Sequence, residues 1–432
     1  MRIEPVAAVR GAVAVAGTKS IAHRALMLGA IAEGETEIRG FARSGDTGAT
    51  VDALRALGVA IVEDGDTLTV EGAGLRGLKE PGGPIDCRNA GTLLRLIAGI
   101  LAGQRGRFVL TGDESLRSRP MERIAVPLRA MGAGVETEDG RPPVTVTGAE
   151  LHPIRYELPV ASAQVKSAIL LAGLYAEGGP TTVLEPAPTR DHTERMLAAA
   201  GVRVESRPRS ATVWPATRLR PLSIDIPGDF SSAAPFIVAA TLLSGSELRL
   251  VDVNVNPTRT GFLNVLERMG ARISLFNRRA VGGEPAADLE VQHADLVATT
   301  IGPGEVPLLI DELPLFALVA AVARGESVVR GAAELRAKET DRIETVTAAL
   351  RPLGVRIRDT EDGFRVVGVP ARIRGGGRID SRGDHRIAML AAIAGLVSRE
   401  GVELLNPEAA AISFPGFYEL LEQVSERSGS DR

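Results

Sequence analysis

Short polar segments that carry cations, hydroxyls and amides precede the long apolar runs of this sequence. They read GTKSIAHR (17–24), RNAGTLLR (88–95), ASAQVKS (161–167), GDFSSAA (228–234), DELP (311–314) and RGDHRIA (382–388). Ser, Thr, Asn and Asp satisfy the free amides in the first turn of a helix, where the peptide dipoles also leave a partial positive charge. Added lysine, arginine and glutamine side chains suit these helix starts to a small ligand with several negative charges.

Most of these side chains also have a purely structural explanation. Helix capping accounts for Asp229, Ser231 and Ser232 as well as ligand binding does. Arg95 and Lys166 lie one turn inside their predicted helices, where a structural ion pair is the alternative to a ligand contact. The sequence leaves both explanations open for these five residues.

Lys19 favours ligand contact, because it lies beside Ser20 in a loop that follows glycine and shows no apolar periodicity. The GTKS segment lacks the upstream glycine spacing of a nucleotide-binding P-loop, so ATP hydrolysis has no support.

Two further segments are dense in charge. TGDESLRSRPMER (111–123) is predicted to be a loop, with Arg119 just before a helix. ELRAKETDRIE (334–344) is predicted to open a helix, with Lys338 and Arg342 four residues apart on one face. A solvated helix face is the ordinary explanation of the second segment. An acid/base site is the other, because carboxylates bracketed by cations are typical of tuned proton-transfer groups.

The composition disfavours several classes of protein. The 432 residues are 44% hydrophobic and carry a net charge of −4, which argues against a disordered chain and against a general nucleic-acid binder. Cys87 is the one cysteine, which excludes internal disulfide bonds and CxxC metal sites and fits a reducing cytoplasm. We expect no signal peptide, and no apolar stretch reaches the roughly 20 residues that cross a bilayer.

Two patterns recur in register along the chain. One is an Ala/Leu/Ile-rich run followed by glycine and a β-like segment, at 25–38, 93–110, 167–184, 233–250, 314–330 and 387–405. The other is an amphipathic helix before a β-branched strand, with a glycine turn at Gly58, Gly132, Gly201, Gly270 and Gly354. Six units of about 72 residues account for the chain. A helix that is apolar all round must be buried on every side, so we predict an α/β fold with helices inside and sheets outside. An ordinary α/β protein with coincidental similarity is the alternative.

Eight motifs, in this order, resemble the enolpyruvyl transferase family. They are GTKSIAHR, NAGT with an arginine three residues on, SAQVKSA, RDHTE, DELP, LRAKETDR, GDHRIAM and SFPGF. The resemblance implies a two-domain, inside-out, barrel-like α/β fold of six βαβαββ repeats, three in each domain. It implies a first domain at 20–229 and a second made of 1–19 and 230–432, with the active site in the cleft between them.

The resemblance also implies an activity. The enzyme would transfer the enolpyruvyl group of phosphoenolpyruvate to the 5-hydroxyl of shikimate 3-phosphate and release phosphate through a tetrahedral intermediate. This step belongs to the shikimate pathway, which leads to chorismate and the aromatic amino acids, and it is the target of glyphosate. It uses no metal and no cofactor, so catalysis would rest on positioning, charge neutralisation and proton transfer. The implied partners are the two small substrates, without nucleic acid or membrane, for a cytoplasmic monomer.

Matched motif by motif, the resemblance implies two overlapping binding sites. The shikimate 3-phosphate set is Lys19, Ser20, Arg24, Ser162, Ala163, Gln164, Arg190, Asp311 and Lys338. The phosphoenolpyruvate set is Lys19, Asn89, Gly91, Arg119, Gln164, Arg342 and Arg386. The catalytic residues would be Asp311, which accepts the 5-hydroxyl proton, Glu339, which delivers a proton to the methylene carbon, and Lys19. Glu312, beside Asp311, is a further candidate site carboxylate.

Three positions depart from the family's pattern. Ala16 and Leu96 stand where many members have proline, and Ile412 stands where some have lysine, but none of these is a proton-transfer residue. Two alternatives remain. A relative that acts on a UDP-amino sugar typically carries a cysteine in the loop where this chain has TGDESLRSRP. A non-catalytic, anion-binding homologue could lose Asp311 or Glu339, and both are present here.

Overall fold

The computed structural model describes residues 1–427, which form two compact units. The first unit comprises Gly17–Pro227 with Ala280–Glu284, and the second comprises Met1–Ala16, Gly228–Arg279 and the chain from Pro285 onward. The domain boundaries predicted from the sequence lie at 19/20 and 229/230, and residues 428–432 of the predicted second domain lie outside the described residues. No pattern in the sequence indicated that Ala280–Glu284 group with the first unit.

Three apolar helices form the interior of the first unit. They are Lys19–Ala30, Gly91–Leu101 and Ala163–Gly173, and their sides are buried almost throughout. The last two pack closely because Gly99 has no side chain: a Cβ there would lie 2.2 Å from the carbonyl oxygen of Ala168. The remaining helices of this unit are Gly45–Ala56, Glu114–Arg117, Glu122–Ala130 and His192–Ala199.

The interior of the second unit is built in the same way. Its three apolar helices, Phe230–Leu242, Leu313–Val322 and His385–Val397, contact one another and have almost no exposed side chains. The remaining helices are Gly261–Met269, Val306–Leu309, Arg342–Leu350 and Phe417–Val424, and the 3₁₀ turns are Ala333–Ala337, Arg351–Leu353 and Pro407–Ile412.

The sheets repeat one topology. In each sheet, a strand that precedes an apolar helix pairs in parallel with a strand that follows an apolar helix. The remaining strands of the sheet pair antiparallel. In the first unit, the strand orders are Ser223–Asp225, Glu33–Arg39, Thr67–Ala73, Ala60–Asp64; Ile85–Asp86, Arg107–Thr111, Arg141–Thr147, Gly134–Glu138; and Arg155–Glu157, Thr181–Leu184, Ser210–Val213, Val204–Arg207.

The second unit follows the same scheme. Its strand orders are Arg272–Val281, Glu284–Gln292, Glu247–Asn254, Ala8–Ala14, Ser425–Glu426; Thr300–Ile301, Gly325–Val329, Gly363–Gly368, Arg356–Thr360; and Arg2–Ile3, Val402–Leu405, Arg378–Asp380. The predicted six-repeat α/β architecture, with apolar helices covered by sheets, is confirmed. No helix within residues 1–427 is both long and apolar enough to cross a membrane.

Strand pairing explains why the chain passes twice between the units. The strand Ala8–Ala14, before the first apolar helix, pairs in parallel with Glu247–Asn254 of the second unit. The strand Ser223–Asp225, before the fourth apolar helix, pairs in parallel with Glu33–Arg39 of the first unit. The strand before the first apolar helix therefore completes a sheet of the second unit, and the strand before the fourth apolar helix completes a sheet of the first unit.

One local prediction is wrong. The segment 334–344 does not open a continuous helix: a 3₁₀ turn ends at Ala337, and Lys338 is extended. The next helix begins at Arg342, because the carboxylate of Asp341 accepts hydrogen bonds from the amides of Ile343 and Glu344 and caps it. Lys338 and Arg342 therefore do not share a helix face.

The close approach at Gly99 gives a test of the interior packing. We expect Gly99→Ala to lower the free energy of unfolding by about 1–3 kcal/mol, because the added methyl overpacks the contact with Ala168. Gly45→Ala is the matched control: it also lies in a helix, and a Cβ there meets nothing within 4 Å. Urea unfolding measures both variants, and an equal midpoint for the two would contradict the proposed packing constraint.

Candidate active site

Lys19 is the first residue of the first apolar helix, and Thr18 is its N-cap. Its Nζ lies 2.9 Å from Oδ2 of Asp46, and its side chain is 24% exposed. The lysine is therefore held by a carboxylate but still reached by solvent. This arrangement agrees with a ligand-contacting lysine better than with a buried structural one.

Arg24 lies one turn further along the same helix and is buried. Its guanidinium donates to Oγ1 of Thr193 at 2.7 Å, to Oγ of Ser167 at 3.0 Å and to the carbonyl oxygen of Ser20 at 2.8 Å. These partners are all neutral, and burial lowers the pKa of Arg24 to about 10. A buried cation held by neutral groups is suited to an anionic ligand.

Lys166 is a structural ion pair. Its Nζ lies 2.9 Å from Glu185 Oε1 and 2.7 Å from Glu194 Oε1, and all three side chains are buried. Burial opposes the charge on Lys166, but the two carboxylates outweigh it and raise the pKa of the amine. Of the two explanations that the sequence left open for Lys166, the structural one is confirmed.

Gln164, in contrast, lies at the half-exposed start of its helix. Its amide nitrogen donates to Thr92 Oγ1 at 2.9 Å, and its amide oxygen accepts from Arg95 Nη1 at 2.6 Å. Ser162 caps the same helix through the amide of Val165. The second and third apolar helices are thus joined at their polar ends.

Asn89, Gly91 and Arg119 come together at the start of the second apolar helix. Arg119 Nη2 donates to Asn89 Oδ1 at 2.7 Å, and Asn89 Nδ2 donates to the carboxylate of Asp113 at 2.8 Å. A Cβ on Gly91 would lie 2.9 Å from Arg95 Nη1 and 3.3 Å from Arg119 Nη1. The missing side chain therefore lets two guanidinium groups approach the backbone at Gly91.

Arg190 is half-buried and lies two residues before His192. His192 is fully buried, and its Nδ1 lies 2.9 Å from Oε1 of Glu284, which belongs to the Ala280–Glu284 segment of this unit. Burial lowers the pKa of His192. The sequence did not single out Glu284, because it lies about 90 residues from the RDHTE motif it supports and only tertiary folding joins them.

The second unit gathers the remaining charged residues. Asp311 is 13% exposed and faces two arginines: its Oδ1 lies 3.6 Å from Arg342 Nη1 and its Oδ2 lies 3.5 Å from Arg386 Nη2. Arg342 is buried and also donates to Glu339 Oε2 at 2.6 Å and, through Nε, to Asp384 Oδ2 at 2.8 Å. The predicted base and acid thus share one arginine.

Lys338 is half-buried near this group. Burial lowers the pKa of its amine, and Asp311 partly opposes that shift. Asp384 caps the last apolar helix by accepting from the amide of Arg386 at 2.9 Å. Asp384 therefore fixes both the helix start and the buried side of Arg342.

Glu312 is not an open site carboxylate. It is fully buried and accepts from Arg259 Nη1 at 3.1 Å and 3.2 Å, as well as from Ser231 Oγ.

Asp229 caps the helix Phe230–Leu242 by accepting from the amide of Ser231, so the capping explanation holds for Asp229. Arg259 was missed by the sequence analysis, because it stands alone in NPTRTG, outside every motif considered.

Two other groups prove structural. Cys87 is buried, and burial raises the pKa of its thiol, as expected of a packed core residue. His23 is buried, lies 2.6 Å from Thr50 Oγ1 through its Nδ1, and burial lowers its pKa to about 4. Residues 1–427 contain no group of three or more His, Cys, Asp or Glu side chains that could hold a metal ion.

The buried lysine gives a test of the first unit's ion pairs. We expect Lys166→Met to lower the free energy of unfolding by about 3–5 kcal/mol, because two buried carboxylates lose their cation. Lys79→Met, at an exposed lysine, is the control and should change stability little. Thermal and urea unfolding measure both, and equal stability of the two variants would contradict the ion-pair account.

The comparisons with known proteins identify the family of this chain. The family described as EPSP synthase (3-phosphoshikimate 1-carboxyvinyltransferase) matches residues 3–421. A 3-phosphoshikimate 1-carboxyvinyltransferase of Acidithiobacillus ferrooxidans is 50% identical over 423 residues, covering 98% of this chain and 97% of its own. The enzyme of that name from Alkalilimnicola ehrlichii is 52% identical, covering 97% of this chain and 94% of its own.

A solved structure gives the same answer for the fold. An EPSP synthase from Acinetobacter baumannii superimposes with a TM-score of 0.89 at 44% identity, covering 99% of this chain and 98% of the solved one. The sequence resemblance to enolpyruvyl transferases is therefore confirmed. The chain belongs to the EPSP synthase (3-phosphoshikimate 1-carboxyvinyltransferase) family.

Proposed function

We propose that this chain transfers the enolpyruvyl group of phosphoenolpyruvate to the 5-hydroxyl of shikimate 3-phosphate and releases phosphate. The observation that carries the proposal is the grouping of Asp311 and Glu339 around the buried Arg342, in a chain of this family. Family membership favours this reaction over the UDP-amino-sugar alternative. The retained carboxylates argue against a non-catalytic homologue.

The first unit supplies most of the shikimate 3-phosphate contacts in this proposal. Lys19, Ser20 and Arg24 bind at the start of the first apolar helix, where the helix dipole adds positive charge. Arg24 is suited to the ligand's anionic groups, because its three hydrogen-bond partners are neutral. The contacts are completed by Ser162, Ala163, Gln164 and Arg190 of this unit and by Asp311 and Lys338 of the second.

Phosphoenolpyruvate binds through arginines that present paired donors to phosphate and carboxylate. Arg119 and Asn89 are joined by a hydrogen bond, and Arg119 lies close to the backbone at Gly91. Arg342 and Arg386 add two cations from the second unit, and Lys19 and Gln164 contact both substrates. The predicted cleft that would bring the two sets together stays a prediction.

Proton transfer follows from the charges around the two carboxylates. Arg342 and Arg386 face Asp311, and in the proposed reaction the carboxylate of Asp311 accepts the 5-hydroxyl proton. Glu339 is paired with Arg342. In the proposed reaction the protonated carboxyl of Glu339 delivers its proton to the methylene carbon as the 5-hydroxyl oxygen attacks C2.

The composition supports a cellular setting for this enzyme. A net charge of −4 and a single, buried cysteine support a cytoplasmic enzyme that binds no nucleic acid. We propose that it acts as a monomer, as predicted from the sequence. The direct test of function is phosphate release with both substrates, compared with each substrate alone; release that does not require both would contradict the proposal.

Removing either carboxylate should slow turnover. We expect Asp311→Ala and Glu339→Ala each to reduce kcat by at least about 100-fold, the lower range for general acid–base groups. Shikimate 3-phosphate should still bind the Glu339→Ala variant, as measured by calorimetry. Asp359→Ala, at an exposed aspartate paired with Arg351, is the control. Turnover within threefold of the parent in both site variants would refute the assignment.

Gly91 gives a test of the phosphoenolpyruvate site. We expect Gly91→Ala to raise the glyphosate concentration for half inhibition by at least about tenfold, a loss of about 1.4 kcal/mol in binding. The reason is that the new methyl would press on Arg95 and Arg119. Gly82→Ala, where a Cβ meets nothing within 4 Å, is the control. Unchanged inhibition of the Gly91 variant would contradict steric control at this position.

A further inference from the structure

A buried ion pair lies directly behind the proposed base. Arg259 follows the strand Glu247–Asn254, and its guanidinium donates to both carboxylate oxygens of Glu312. Both side chains are buried, Arg259 at 4% exposure and Glu312 at 0%. Glu312 is the N-cap of the helix Leu313–Val322 and directly follows Asp311.

Two further side chains, those of Ser231 and Asp229, contact this ion pair. Ser231 Oγ contacts both Glu312 and Arg259, and Arg259 Nη2 lies 3.6 Å from Asp229 Oδ1. Burial opposes the charge on Arg259, but Glu312 and Asp229 outweigh it and raise its pKa. Arg259 therefore keeps its positive charge and lies among fixed polar groups.

Arg386 is the next cation in reach of Glu312. Its Nη1 lies 3.9 Å from Glu312 Oε1 and donates to the carbonyl oxygen of Asp311 at 3.3 Å. Its Nη2 lies 3.5 Å from Asp311 Oδ2. Arg386 thus stands between two adjacent carboxylates, and a small movement would pair it fully with either one.

We propose that Arg259 is a positioning residue: it neutralises Glu312 and thereby leaves Arg386 free to face Asp311 and phosphoenolpyruvate. A buried carboxylate without a cation is strongly disfavoured. Without Arg259, the guanidinium of Arg386 moves toward Glu312 and closes the 3.9 Å between Nη1 and Oε1. Arg386 then leaves the proposed phosphoenolpyruvate site, and Asp311 loses one of its two arginines. This inference rests on the proposed function for the role of Arg386.

The prediction is specific to one substrate. Because most of the shikimate 3-phosphate contacts are proposed in the first unit, loss of Arg259 should weaken phosphoenolpyruvate binding far more. A merely structural role would instead lower stability and affect both substrates alike. Removal of the charge on Glu312 should restore phosphoenolpyruvate binding, since Arg386 then has no second carboxylate to pair with.

The experiment compares the full chain with Arg259→Met, Arg259→Lys and the double variant Arg259→Met with Glu312→Gln. We expect Arg259→Met to raise KM for phosphoenolpyruvate at least about tenfold while KM for shikimate 3-phosphate stays within about twofold. In the double variant, KM for phosphoenolpyruvate should return to within about threefold of the parent, as expected for coupled neighbours. Arg268→Met, at a partly exposed arginine paired with Glu305, is the control.

Each outcome decides between defined alternatives. Equal increases in both KM values, an unchanged KM for phosphoenolpyruvate, or no recovery in the double variant would overturn the inference. Arg259→Lys keeps the positive charge beside Glu312 and should hold KM for phosphoenolpyruvate within about threefold of the parent; an increase of about tenfold would overturn the inference. If Arg259→Met does not fold, Arg259→Gln takes its place, and an unchanged KM for phosphoenolpyruvate in that variant overturns the inference. A parent chain without phosphate release from the two substrates would refute the proposed function itself, independently of these variants.

Discussion

Burying positive charge is the constraint on which the rest of this structure depends. A protein that binds small, multiply charged anions needs cations that are shielded from water, yet a buried cation is stable only with compensating partners. Both units meet this constraint with cations at or near the N-termini of apolar helices. At these positions, cap residues, helix dipoles and carboxylates interact with the charged groups and compensate for their burial.

The partners of each cation indicate its role. Lys166 is enclosed by two buried carboxylates and has no capacity left for a ligand. Arg24 is held by hydroxyl and carbonyl oxygens, so an anionic ligand can complete its environment. Arg342 combines both cases: Asp384 fixes its buried edge, while Asp311 and Glu339 occupy the donors that a substrate can compete for. Partner chemistry therefore separates the cations proposed to bind substrate from the structural ones.

The repeat architecture explains why so many polar helix starts occur in one chain. In four of the six repeats, the strands before and after the apolar helix pair in parallel, and in the other two these partners are exchanged between the repeats. The polar residues before each apolar helix therefore follow a strand of the same kind. The helix interiors can then be almost wholly apolar, because the sheets and neighbouring helices cover every side. This division confines many of the proposed site residues to short polar segments before the apolar helices, and it makes those segments recognisable in the sequence.

The sequence by itself determined the six-repeat α/β fold, the family and the motif residues, because apolar periodicity, glycine turns and short motifs are local patterns. It left Lys166 open between a structural ion pair and a ligand contact, because a cation one turn inside a helix fits either and only its neighbours in space decide. It placed Lys338 and Arg342 on one helix face, whereas the cap at Asp341 delays the helix start. It also missed Arg259 and Glu284, whose partners Glu312 and His192 lie 53 and 92 residues away along the chain. Tertiary structure alone decided these pairings, since a buried charge selects its partner by proximity in space and not by sequence.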